Sequence, residues 1–207
     1  MSTQPGSRPA AGAVDRPAAG IALVVVAVLV FSTYNALGKW LAADYSPWQI
    51  MFFRGLCALL PFGAYAFAAH GRAVLRSRRP GLQILRAVLG FGANLFFIFA
   101  YREMALADAV AIGYAAPIFI VALSVPLLSE RVDLRRAVAA LVGFVGVLLV
   151  AQPGGGVLSL GALYALAGTL SYALMAIATR RLGALDNVLC TVAHSSGLYA
   201  LACVAVL

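Results

Sequence analysis

A chain of 207 residues that is 63% hydrophobic and only 11% charged, with a mean hydropathy of +0.97, lies far outside the range of soluble globular domains. The net charge of +8 does not point to nucleic acid, because the arginines gather at the ends of apolar segments rather than over a polar face. Apolar runs approach the ~20 residues a helix needs to cross a ~30 Å hydrocarbon core, and no long apolar/polar alternation suggests a barrel, so the class is an all-α, polytopic transmembrane helix bundle.

Residues 1–18 are rich in Pro, Gly, Ser and Ala and are expected to form a disordered tail, since such a composition cannot build a core. A secretory signal is the competing reading, but no small-residue cleavage site follows cleanly and the apolar character continues toward Leu41. Seven helices are predicted over 20–41, 47–69, 82–104, 108–128, 135–151, 158–179 and 188–207. Ser46 before Pro47 reads as an N-cap with proline in the first turn, and Asp133 is placed to cap the helix that follows. On one side of the membrane fall Arg8, Arg16, Arg72, Arg76, Arg78, Arg79, Arg86, Arg131, Arg135, Arg136, Arg180 and Arg181; the other side receives Lys39 and Arg102, with Arg54 inside a helix. The positive-inside rule then puts the amino terminus in the cytoplasm.

Beyond the Pro153-Gly154-Gly155-Gly156 break, a shift of about 140 residues lays 170–189 over 31–50. Five helices separate the copies, so the second would enter the membrane upside down, which is the inverted-repeat plan of many transporters. The expected organisation is a first five-helix repeat over 19–152, a linker at 153–157 and the start of a second repeat over 158–207. The apolar ending ALACVAVL has no polar flank, and a complete second copy needs about three more helices. A truncated second repeat is expected, with about seven helices present of ten.

Several motifs occur in a fixed order: Ala105-Leu106-Ala107-Asp108-Ala109 at the start of the fourth helix, Pro117 within it, Leu128-Ser129-Glu130-Arg131 at its end, then Gly143 and Gly146, then Gln152-Pro153-Gly154. As a set they resemble the EamA-type branch of the drug/metabolite transporter superfamily. The resemblance covers most of 20–156 and the beginning of the second repeat. It implies two inverted five-helix repeats, residence in the bacterial inner membrane and movement of small metabolites. Asp108, Pro117 and Glu130 are the family-motif residues, and Glu130 is also placed for an ion network with Arg135 or Arg136. The Gly-Phe-Val-Gly-Val and Gln-Pro-Gly pattern is similar to members assigned to uptake of S-adenosylmethionine or riboflavin.

Within the helices, a few polar groups stand out as substrate contacts. Arg54 lies about 10 Å into the second helix from Pro47, where a charge must face protein or water; it is either an anion-attracting group near the outer mouth of a pathway, or the structural partner of Asp44, Glu103 or Asp108, or a side chain that snorkels to the interface. His194 falls near the repeat-related position and reads as a substrate or proton-coupling group, or as an interhelical hydrogen-bonding residue. Asn35, Asn94, Tyr114 and Tyr172, with Ser32, Tyr101 and Ser171, supply neutral polar and aromatic groups for a central cavity, or glue between helices, with interfacial anchoring as a further role for Tyr101. Gly90, Gly92 and Ala93 read as close-packing positions.

Cys57, Cys190 and Cys203 lack metal-ligand spacing and are expected to be buried small side chains. No nucleophile and base converge, since Ser195 and Ser196 adjoin His194 in sequence but cannot face it on a helix, so no enzyme activity is expected. The absence of a GxxxxGK[ST] loop argues against an ATP-driven pump. No cofactor is implied, and the expected partners are a small-molecule metabolite, the lipid bilayer, and either a homodimer or a partner supplying missing helices, with no nucleic acid.

Overall fold

The computed structural model describes residues 17–70, 77, 79–128, 134–151, 159–182, 190, 191, 194, 195 and 197–199. Among these, seven helices run in order: α1 Pro17–Asp44, α2 Pro47–His70, α3 Pro80–Glu103, α4 Leu106–Gly113, α5 Ala116–Leu128, α6 Leu134–Ala151 and α7 Leu160–Leu182. Among the described residues, four segments are long and apolar enough to span a bilayer: Gly20–Asp44, Pro80–Glu103, Leu106–Leu128 and Leu160–Leu182. The chain divides into two compact units, Met1–Ala36 and Leu37–Leu207.

In the first unit, the amino-terminal part of α1 is apolar all round. Ile21, Leu23, Val24, Leu29 and Val30 are all more than half exposed, the pattern of a helix whose surroundings are hydrocarbon rather than water.

The second unit is organised by α3 against α7. Arg86 meets Thr179, Gly90 meets Met175, Phe97 meets Gly168, and Glu103 meets Gly161. The two helices therefore run antiparallel in one continuous register. Small residues make this possible. The buried face of α7 carries Gly161, Ala162, Ala165, Gly168, Thr169 and Ala173, and α3 answers with Ala87, Gly90, Ala93 and Ala100. Apolar side chains gain nothing by leaving lipid for protein, so close backbone approach and van der Waals contact must hold such helices together. The core cluster around this seam joins Ala42, Met51, Ile98, Ala100, Tyr101, Ala109 and Ala165. Tyr101, read from sequence as a cavity-lining residue or as interhelical glue with interfacial anchoring, is 6% exposed, with its ring edge beneath Gly38.

The span predicted over 108–128 is one crossing built from two helices. Tyr114 and Ala115 form a turn between α4 and α5. Pro117 has no N–H, so the Gly113 carbonyl loses its i+4 donor. The backbone tightens instead, with Ala115 N donating to Ile112 O at 3.0 Å and Ile118 N to Ala115 O at 3.0 Å. α6 packs beside α4 and α5.

The helix ends are chemically specified. Ser46 and Gln49 form a reciprocal capping box: Gln49 N donates to Ser46 Oγ at 3.2 Å and Ser46 N to Gln49 Oε1 at 3.2 Å, satisfying two amides at the start of α2. Ser46→Ala is expected to cost about 1 kcal/mol, read as a lowered melting temperature of the purified protein; Ser46→Asp should retain most of the stability. Lys39 Nζ donates to Met104 O at 2.9 Å and also to Tyr101 O, so a cation covers the carbonyl end of α3. Arg181 does the same for the carbonyl of Leu127 at the end of α5. Asp108 occupies the first turn of α4, where a carboxylate favours the positive end of the helix. The Asp133 cap, the Gly-rich linker, Cys203 and Glu130 lie outside the described residues.

Candidate functional site

One face of α3 carries Gln83, Arg86, Gly90 and Asn94, at spacings of three and four residues that bring them into line. Gln83, Arg86 and Asn94 each touch a polar group from another part of the chain. Arg54 Nη1, from α2, donates to Asn94 Oδ1 at 2.8 Å. Asn94 Nδ2 donates to Gly90 O at 2.7 Å and to the Tyr199 hydroxyl at 3.3 Å. This arrangement fixes the amide: turned over, Asn94 would set two donors against each other at Arg54 and its oxygen against the Gly90 carbonyl.

Aromatic rings border this group. Tyr199 meets Phe91 edge to face with centroids 5.3 Å apart, and Trp48 lies 6.3 Å from Phe91. The result is a guanidinium and an amide beside a row of three aromatic rings. A cation beside such a row suits an anionic or electron-rich planar group, because aromatic rings and hydrogen-bond donors lie close together.

About 12 Å along α3, a second polar group surrounds Arg86. Its Nε donates to Thr179 Oγ1 at 2.8 Å and its Nη1 to Ser195 Oγ at 2.9 Å. Ser195 Oγ donates in turn to Thr191 O at 2.9 Å, and Gln83 Nε2 donates to Thr191 Oγ1 at 3.0 Å. The sequence pattern reads Arg86 only as one of the charges that orient the chain; the structure makes it a working part of the α3–α7 seam.

The predicted site residues divide accordingly. Arg54 and Asn94 come together through the hydrogen bond between Nη1 and Oδ1. His194 turns back on its own segment, its Nδ1 at 2.8 Å from Cys190 O. Tyr114, in the α4–α5 turn, and Tyr172, on α7, are 53% and 47% exposed. Asn35 belongs to the first unit. Pro117 acts on the backbone at the α4–α5 turn. Cys57 is exposed on α2, against the expectation of burial, while Cys190 is buried; among the described residues no His, Cys, Asp and Glu cluster could hold a metal. The groups missed from sequence are Gln83, Arg86, Thr179 and Tyr199. Their signal was the alignment of 83, 86, 90 and 94 on one helical face, a polar and glycine stripe on an otherwise apolar helix.

Comparison with known proteins decides what kind of machine carries this seam. The profile of the EamA-like transporter family matches residues 18–152. The chain belongs to the EamA-like transporter family. Transport rather than catalysis is the business of that family, and this EamA-like chain is a multi-pass membrane protein with bacterial relatives. It is 24% identical over 180 residues to an S-adenosylmethionine uptake transporter of Rickettsia prowazekii (strain Madrid E), covering 86% of this chain and 60% of that protein. It is 30% identical over 142 residues to an uncharacterized transporter of Helicobacter pylori (strain ATCC 700392 / 26695), covering 65% and 45%. A pseudopaline exporter, CntI, of Pseudomonas aeruginosa (strain UCBPP-PA14) is 28% identical over 134 residues, covering 65% and 46%. The chain thus spans between about half and three fifths of the length of these curated relatives. No solved structure matches it.

Proposed function

We propose that this EamA-like chain forms part of a secondary transporter that moves a small amphoteric metabolite with a planar group across the bacterial inner membrane. The observation that carries this reading is the Arg54–Asn94–Tyr199 group beside the rings of Phe91 and Trp48, a charged and aromatic surface inside an otherwise apolar bundle. A guanidinium within a membrane-spanning fold is costly unless it serves a pathway or a partner. The working scheme is alternating access between two inverted repeats, with the amino terminus cytoplasmic and the polar face of α3 lining the route. The discontinuous α4–α5 span and the small-residue α3–α7 seam support such a scheme, since both are common where helices rock around a central site.

Among substrates, the chemistry fits S-adenosylmethionine-like molecules. These combine a planar base for the aromatic row with a zwitterionic end for the arginines. The relatives assigned to S-adenosylmethionine uptake favour the same class. The test is flux of radiolabelled S-adenosylmethionine in vesicles containing the native protein, in both directions. Protein-dependent movement that unlabelled S-adenosylmethionine competes away is expected. Flux indistinguishable from protein-free vesicles would overturn the substrate assignment, and silence toward a wider panel of nucleosides and amino acids would overturn the transport reading itself.

A further inference from the structure

The polar group around Arg86 has a property that the Arg54 group does not share. Gln83 is 1% exposed, and its Oε1 is a fully buried acceptor with no hydrogen-bond partner. Buried carbonyl oxygens are rarely left in this condition, because the lost solvation is not recovered. Turning the amide over would orphan Nε2 instead, so one polar atom of Gln83 awaits a partner in either setting; the setting in the structure calls for a donor.

Arg86 shows the complementary deficit. Both of its described partners, Thr179 and Ser195, are neutral hydroxyls. A guanidinium has five N–H donors, and Nε with one Nη1 hydrogen use only two of them. The side chain is half-buried and sits about 9 Å along a membrane-spanning helix from Pro80. Its charge is therefore met by dipoles and by no carboxylate among the described residues. Gln83 and Arg86 are three residues apart on one helical face, which brings their side chains together.

We propose that Gln83 and Arg86 form the seat for an α-amino-acid headgroup, with the carboxylate on the Nη hydrogens of Arg86 that Ser195 does not take and the ammonium donating to Gln83 Oε1, which is closed off in this structure and is reached when the helices around it part. A carboxylate fits the forked end of a guanidinium in a bidentate pair, and the hold on Nε by Thr179 and on Nη1 by Ser195 orients that fork in advance. The ammonium of the same headgroup lies on the adjacent carbon, within reach of a second side chain one helical turn away. The two deficits thus have one remedy, a zwitterion that brings an anion and a donor together. This inference rests on the transport reading and adds to it the part of the substrate that the aromatic row does not hold. It also gives the two polar stations separate roles, with the planar group held at the level of Asn94 and the zwitterion at the level of Arg86.

The experiment is equilibrium binding to the native protein in lipid nanodiscs, by isothermal titration with three probes: L-methionine, its methyl ester, which lacks the carboxylate, and N-acetyl-L-methionine, which lacks the ammonium. The wild type should favour L-methionine over each derivative by at least about tenfold, in line with a charge-assisted hydrogen bond. Arg86→Gln should bring acid and ester to within about twofold while keeping the preference over the acetyl derivative. Gln83→Leu should do the reverse. Arg86→Lys keeps the charge but loses the fork, and an intermediate acid-to-ester ratio is expected should Arg86→Gln not yield monodisperse protein. Equal binding of acid and ester by the wild type, no binding of any probe, or an unchanged ratio in the Arg86 variants would overturn the assignment. Because binding is read without flux, a protein that binds with this selectivity yet moves nothing fails the transport reading alone. One that transports but ignores carboxylate and ammonium fails only this one.

Discussion

Gly168→Leu is expected to abolish recovery of monodisperse protein. A Cβ at Gly168 would stand 2.9 Å from Phe97 Cδ2 and 3.1 Å from the Ala93 carbonyl oxygen. The Phe97 ring can rotate, but the Ala93 oxygen belongs to the α3 backbone and moves only with the helix. Even Gly168→Ala must therefore part α3 from α7, and overpacking of this kind costs typically 1–3 kcal/mol. The gain in helix propensity from replacing glycine, up to about 1 kcal/mol, offsets only part of that. A leucine adds three more carbons at the tightest point of the seam that organises the second unit. The check is size-exclusion chromatography of detergent-solubilised protein after heating. Gly168→Ala should lower the midpoint by several degrees, and Gly168→Leu should leave no folded peak. Gly143→Ala is the control: a Cβ there meets nothing within 4 Å, so its midpoint should hold or rise slightly. A Gly168→Leu protein as stable as wild type would show that the α3–α7 contact is not the one described.

Arg54→Met should reduce transport by about 10- to 100-fold with little change in the amount of folded protein. That range corresponds to the roughly 1.5–3 kcal/mol of a hydrogen bond to a charged group. Methionine keeps much of the arginine stem, so the packing of α2 against α3 is preserved while the guanidinium is lost. Asn94 then keeps its bond to the Gly90 carbonyl but has nothing to set its oxygen toward α2. Asn94→Leu should produce a loss of similar size, and the double variant should be no worse than the stronger single one. Such non-additivity is the signature of two groups acting as a unit. Initial rates in vesicles, normalised to protein content, provide the measurement. Fully additive losses would mean that the two residues serve the substrate separately, and wild-type rates in Arg54→Met would remove this station from the pathway.

Much of the architecture was legible because lipid demands long apolar runs and marks their ends. The Ser46 cap was visible as Ser-Pro, and Gly90 with Ala93 announced a close contact. Arg54 stood out because a charge deep in an apolar segment has few bland explanations. Arg86 did not stand out, since it lies near the margin of its helix and joined the arginines that orient the chain. Only packing against Thr179 and Ser195, some 93 and 109 residues away, gives it another role. Tyr199 was hidden for the same reason: its partner Asn94 is 105 residues away, beyond any local pattern. The sequence contained Pro117 but not the place of the break, which falls at Tyr114 and Ala115, where proline withholds the donor for the Gly113 carbonyl and the Phe97 ring leaves little room for a Cβ on Gly113.

That break makes the Leu106–Leu128 crossing a pair of unequal levers. The shorter arm, Leu106–Gly113, has 8 residues and the longer, Ala116–Leu128, has 13. At 1.5 Å per residue the longer arm extends about 20 Å beyond the pivot. A rotation of about 20° at two peptide units would carry its far end roughly 7 Å, more than one helical turn, while Gly113 kept its place against Phe97. The far end is where the Leu127 carbonyl receives Arg181. The Arg181 contact thus stands at the point of greatest travel, where breaking it takes the least force.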